Sequence, residues 1–146
     1  MIVYRKATLD DLQTVTELFM RLYKSRSYEY LESVNRKNLA DREQAIVLAQ
    51  QSEKVVGIAH SSIRHDYVEG TNGGNVGYLE GIFVLPEFRM HGIAKSLVAE
   101  CEKWAKDMGC VEFASDCELT KIENGCFHLK IGFAEANRII CFTKKL

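Results

Sequence analysis

The sequence predicts an α/β fold, a mixed sheet with helices on both faces, in the order β-α-α-β-β-β-α-β-α-β. Three observations carry that prediction. An apolar, β-branched run from Tyr78 to Leu85 passes through a basic turn into an amphipathic helix. Two strand-like runs, Gln44 to Gln50 and Val55 to Arg64, flank Ser52-Glu53-Lys54 as the arms of a hairpin. A strand, a helix and a last strand then follow in turn.

Taken in order, Ile2 to Lys6 alternates as the first strand, and Thr8-Leu9-Asp10-Asp11 has the form of a capping box. The helix it opens carries Leu12, Val15, Leu18, Phe19 and Leu22 on one face and runs to about Tyr23. Tyr28 to Leu39 is polar with scattered apolar positions, a second helix or helical loop. After the hairpin, with Gly57 inside its second arm, Gly70 to Asn75 reads as a turn or loop, either a hairpin tip or a cover over a site. Gly81 interrupts the next strand, which calls for a bulge or a close approach and leaves the strand splayed. Pro86 closes that strand; Ala94, Leu97, Val98, Cys101, Trp104, Ala105 and Met108 then mark a helix that Gly109 ends. Glu112 to Asp116 is the next strand, Ile122 to Ile131 a helix, Gly132-Phe133 a turn and Ile139 to Lys144 a last strand.

The turn before the long helix delivers Gly92, Ile93 and Ala94 as its first residues, with unpaired N–H groups and a partial positive charge. Gly92 lacks the β-carbon that would hold an anion off those amides, Arg89 adds a full charge, and Ala94 is small. Arg-x-x-Gly-x-Ala, set between an apolar strand and a helix, resembles the pyrophosphate-binding signature of the GCN5-related N-acetyltransferases (GNAT). The order of elements and the Gly132-Phe133 landmark extend that resemblance over essentially the whole chain, 1–146, as one domain. The runs Ser62 to Val68, Leu79 to Pro86 and Ala114-Ser115-Asp116 are similar to those of the bacterial aminoglycoside 6′-N-acetyltransferases.

The resemblance implies transfer of an acetyl group from acetyl-CoA directly to a primary amine of an aminoglycoside. It lays the pantetheine arm along Ile82, Phe83 and Val84, in the splay at Gly81, with a backbone N–H near Phe83 as oxyanion donor. It puts the pyrophosphate on Arg89, Met90, His91, Gly92, Ile93 and Ala94, with Lys95 a further donor and Lys121 at another CoA-facing position. Tyr23, Arg26, Tyr67, Glu80, Asp116 and Asn137 fall on acceptor-contacting positions, and a polyamine sugar suits such carboxylates and aromatic faces. Arg26 is the exception, a cation that opposes a polycationic ligand unless neutralised. Glu80, a carboxylate in an otherwise apolar strand, needs a partner to offset its burial and is the expected general base, directly or through a water. His128 stands where many relatives carry a tyrosine acid; it either protonates the leaving thiolate or packs in its helix. Asp66, Glu69, Glu118 and Glu135 read as surface carboxylates.

Composition bounds the alternatives. A net charge of −1 with no Lys/Arg block argues against nucleic acid as a partner. No apolar run is long enough to span a bilayer, and the N-terminus begins as a strand, so a cytoplasmic protein is expected. Five cysteines without a Cys-x-x-Cys pair read as reduced packing thiols, and four histidines without ligand spacing indicate no metal. A homodimer is expected from the resemblance alone. An acetyltransferase of another small amine, polyamine or peptide, and a non-catalytic acetyl-CoA binder, are the competing readings.

Overall fold

A computed structural model describes all 146 residues. The strands are β1 (Ile2–Lys6), β2 (Gln44–Gln51), β3 (Lys54–Arg64), β4 (Val76–Val84) and β5 (Phe113–Ser115). The helices are α1 (Leu12–Leu22), α2 (Tyr28–Ala40), α3 (Ile93–Asp107) and α4 (Ile122–Lys130), with 3-10 turns at Leu9–Asp11 and Pro86–Phe88. The sheet runs β1-β2-β3-β4-β5; its first three pairings are antiparallel and β4 pairs parallel to β5.

Local chemistry accounts for the element boundaries. The Asp11 carboxylate accepts the Thr8 N–H at 2.8 Å and is held by Arg5 at 2.7 and 2.8 Å, so the entry to α1 is tied to β1. Ser27 caps α2 by accepting the Tyr30 N–H at 3.2 Å, which decides Tyr28–Ala40 as a full helix. Ser52, with φ 53°, turns the chain between β2 and β3.

β3 shows how the sheet is covered. Gly57, Ser61 and Ile63 look toward α3: a β-carbon on Gly57 would lie 3.1 Å from Leu97, and Ile63 packs with Ala105 and Cys110. His60, one step out of phase, faces α1, its ring 6.3 Å from Phe19. Val15, Phe19, Leu48, Ile58, Leu97 and Val98 are buried between these layers. The segment after β3 is the tip of the β3–β4 hairpin, Arg64 pairing with Val76, and it is anchored: Val68 is buried on Val76 and Tyr78, and His65 bridges Glu43 (2.6 Å) and Asn75 (2.7 Å).

The expected last strand, Ile139 to Lys144, does not form in this chain. Its apolar residues have strand propensity but no ladder partner, and Ile139, Ile140 and Phe142 stand 63%, 80% and 88% exposed. No helix is long and apolar enough to cross a membrane.

Candidate active site

β3 and β4 fall out of register at one point. His60 pairs with Gly81 and Ser61 with Leu79, so Glu80 is an extra residue, the bulge of β4. Cross-strand partners share a face. Tyr78, opposite Ser62, and Gly81, opposite His60, therefore both look toward α1, and Glu80 lies between them. That crowding decides residue 81. A β-carbon there would stand 2.3 Å from the Tyr23 hydroxyl and 3.2 Å from Leu22, whereas glycine lets the Tyr23 hydroxyl donate to the Glu80 carbonyl at 3.4 Å.

The Glu80 side chain meets a fixed set of donors. Arg64 reaches it in a fork, Nε to Oε1 at 2.9 Å and Nη2 to Oε2 at 2.8 Å, and the Ser62 hydroxyl donates to Oε1 at 2.5 Å. Burial pushes this carboxyl up, but the hydrogen bonds from Arg64 and Ser62 outweigh it and hold Glu80 below the usual carboxylate range. The Arg64 guanidinium lies over the Tyr78 ring, 3.5 Å from its centroid, and the Tyr78 hydroxyl donates to Asp116. Burial, then that bond to Asp116, pushes the Tyr78 phenol upward, so it remains a donor. Burial moves Tyr23 up and His60 down, leaving both uncharged near neutral pH. Ser62, Glu80, Arg64, Tyr78 and Asp116 thus form one continuous network.

The other half of the site is backbone. The β4–β5 ladder covers only Gly77 to Leu79, so from Glu80 to Val84 no strand covers the far edge of β4. Arg89 turns back to donate from Nε to the Val84 carbonyl at 2.9 Å, with its guanidinium 5.6 Å from the Phe83 ring, which ties the turn to the strand end. At the start of α3 no side chain caps the helix, and the first N–H to find a helical acceptor is that of Ser96, on the Gly92 carbonyl at 3.1 Å. The amides of Ile93, Ala94 and Lys95 remain as donors. Gly92 has φ 77° and open space where a β-carbon would point. These features fit an anionic, extended ligand: a strand edge for its arm and a positive helix end for its phosphates.

The sequence profile described as the acetyltransferase (GNAT) family matches residues 12–133. The chain belongs to that family. Among curated proteins, aminoglycoside N(6′)-acetyltransferase type 1 of Acinetobacter haemolyticus is 34% identical over 142 residues, 97% of each chain. The protein of the same name from Stenotrophomonas maltophilia is 35% identical over 143 residues, covering 97% of this chain and 92% of its own. The structure of AAC(6′)-Iy in complex with a bisubstrate analogue, CoA-S-monomethyl-acetylneamine, superposes with a TM-score of 0.96 at 32% identity, over 100% of this chain and 99% of that one.

In this GNAT chain the residues expected at the site divide into groups. Glu80, Asp116 and Tyr23 come together around the bulge. Ile82, Phe83 and Val84 continue along the open edge, and Arg89 to Lys95 form the turn and helix start. Within that turn Met90 is 97% exposed with φ 64°, and His91 bonds the Phe88 carbonyl at 3.3 Å through Nδ1. His128 lies apart on α4: Nδ1 meets the Asn124 carbonyl at 2.6 Å, Nε2 meets the Ser115 hydroxyl at 2.9 Å, and the ring is 5.3 Å from Phe133. It is therefore packed and hydrogen-bonded at once. Lys121 precedes α4 and pairs with Glu118 at 3.5 Å. Tyr67 and Asn137 meet through Glu69, to whose carboxylate they donate at 2.5 and 2.8 Å, so Glu69 is more than a solvated charge. Arg26 stands over the Tyr30 ring, 5.0 Å from its centroid, and pairs with no carboxylate.

Arg64, Ser62 and Tyr78 were absent from the residues expected at the site. The sequence did hold one pointer to them, since a lone glutamate in an apolar strand requires a cation nearby, and Arg64 ends the preceding strand. Substituting Gly81→Ala will force the Tyr23 hydroxyl off the Glu80 carbonyl; a loss of about 1–3 kcal/mol in urea unfolding is expected, and Tyr23→Phe in the same background should recover part of it.

Proposed function

We propose that this protein is an aminoglycoside 6′-N-acetyltransferase that transfers the acetyl group of acetyl-CoA directly to a primary amine of the antibiotic. The observation that carries the reading is the coincidence of a carboxylate network at the β4 bulge with an open strand edge and an uncapped helix start immediately after it. Full-length similarity to aminoglycoside N(6′)-acetyltransferases supports it. The whole chain acts as one domain, in the cytoplasm.

Acetyl-CoA supplies an activated thioester; the chain's own groups do the rest. The backbone of Ile82, Phe83 and Val84 lines its arm, and Arg89 to Lys95 take the pyrophosphate. The Phe83 region offers an N–H to the carbonyl oxygen as it gains charge. Lys121 assists on the cofactor side. Glu80 and Asp116 attract the cationic acceptor, with Tyr23 and, on the rim, Tyr67, Asn137 and Arg26. Glu80 accepts a proton from the incoming ammonium, directly or through a water. His128 is the proposed donor to the departing thiolate, and to reach it the ring must turn off the Ser115 hydroxyl, which it meets through Nε2 at 2.9 Å, while Nδ1 stays on the Asn124 carbonyl at 2.6 Å.

A homodimer is the assembly we infer. The apolar residues from Ile139 to Phe142 have no cover in their own chain, and the three-residue β5 leaves the sheet edge bare for a second copy's tail.

Mixing the protein with acetyl-CoA and tobramycin or kanamycin should release free thiol, and Glu80→Gln should slow turnover at least ~100-fold while acetyl-CoA still raises the melting temperature. Release with a polyamine or peptide amine but no aminoglycoside would assign another acceptor, and thermal stabilisation without any turnover a binding protein. Gly92→Val should raise the KM for acetyl-CoA at least ~10-fold with unchanged far-ultraviolet circular dichroism, because a branched side chain both strains φ 77° and blocks the amides. Light scattering should show a dimer for the whole chain and a monomer for a chain ending at Arg138; a monomeric whole chain rejects the assembly.

A further inference from the structure

We propose that Arg64 is a positioning and specificity residue for the acceptor amine: it fixes the orientation of Glu80, cancels one of the two carboxylate charges there, and leaves a single acceptor position open on Oε2. The inference deepens the reading of this network as the acceptor site and rests on it.

A carboxylate offers about four acceptor positions, roughly two per oxygen. Oε1 of Glu80 receives both Ser62 Oγ and Arg64 Nε, which fills it. Oε2 receives Arg64 Nη2 alone. The remaining position on Oε2 is where an ammonium or its attendant water can bind, so the fork selects the reacting atom as well as the residue. The fork is itself held from below, since the guanidinium lies over the Tyr78 ring, 3.5 Å from its centroid, and the Tyr78 hydroxyl is committed to Asp116. A lysine could supply the charge but neither the fork nor the stacking.

Charge at the site follows from the groups facing Glu80 on every element around it. β3 contributes Arg64, His60 and Ser62, β4 contributes Tyr78, α1 contributes Tyr23, and Asp116 follows β5. The network sets two carboxylates, Glu80 and Asp116, against one guanidinium, Arg64, which leaves one net negative charge. The network therefore holds one ammonium of a polyamine and does not trap two. A more acidic site would bind the polycation harder while stabilising the protonated amine, which cannot attack the thioester.

The test compares Arg64→Gln and Arg64→Lys with the parent, using tobramycin and acetyl-CoA. Arg64→Gln should bind tobramycin about fivefold tighter by calorimetry at low salt, yet turn it over at least ~10-fold more slowly, with the KM for acetyl-CoA unchanged. The acid limb of its kcat/KM profile should move up toward the ordinary glutamate value of about 4.3. Arg64→Lys should keep the parent's affinity and show the slow rate. Damage to the fold alone would weaken binding and rate together and leave the acid limb in place; that result, or a full parental rate in Arg64→Lys, overturns the proposal. If Arg64→Gln fails to fold, the lysine variant decides alone. A parent that leaves tobramycin untouched overturns the acceptor reading instead; the same variants are then assayed on the amine the parent does acetylate, where unaltered rates overturn the role of Arg64.

Discussion

The site depends on one extra residue in β4. In an unbroken antiparallel pair successive side chains alternate faces, so a strand that sends Tyr78 and Glu80 toward α1 would send Gly81 toward α3. The bulge cancels one step. Glu80 and Gly81 lie on the same face, and every residue beyond them changes phase: Ile82 pairs with Ala59, and Phe83, opposite Ile58, meets Arg21 of α1 with the guanidinium 5.3 Å from its ring. The same irregularity coincides with the end of the β4–β5 ladder at Leu79. A single extra residue therefore turns a carboxylate toward α1 and requires a glycine beside it, at the point where the strand edge opens.

A carboxylate in that position is costly to desolvate, and the solution adopted is a fork from the neighbouring strand rather than solvent. Ser62 and Arg64 stand two residues apart on β3 and Tyr78 and Glu80 two apart on β4, so the four side chains share a face by strand periodicity alone. Tyr78 gives the guanidinium a surface to rest on, and its hydroxyl links the pair to Asp116. The arrangement lowers the basicity of Glu80 while keeping it ionised, which in the proposed mechanism suits a group that receives a cation and weakens it as a proton acceptor.

Much of this was legible in the residues. The long helix, its glycine start and the strand before it were marked by periodicity and by Pro86, and α3 begins at Ile93, one residue after the expected Gly92, which is its N-cap. Gly81 marked a bulge or close approach, and both occur. The register was not legible, because it is set by pairing partners; without it nothing shows that Arg64 lies against Glu80 rather than in solvent. The last strand failed for the complementary reason. Ile139 to Lys144 has the composition of a strand, but a strand exists only with a ladder, and none is available within the chain. Tyr67 and Asn137 were expected from resemblance, whereas their junction at Glu69 depends on how the segment after β3 folds back, which no local pattern encodes.

On the proposed reading, β4 divides recognition into two kinds along its length. Up to Glu80 the groups that matter are side chains, five of them coupled in one network, and changing any one disturbs the others. Beyond Glu80 they are chiefly peptide groups, on a free strand edge and at a helix start, which any sequence can supply so long as Gly92 keeps its left-handed turn and the fold its shape. The fold does keep its shape: a TM-score of 0.96 survives at 32% identity. Recognition by backbone is thus insulated from substitution, while recognition by a charged network is exposed to it. On that physical ground the proposed cofactor half of the site is the durable one, and acceptor choice in such chains turns on the few residues that face Glu80.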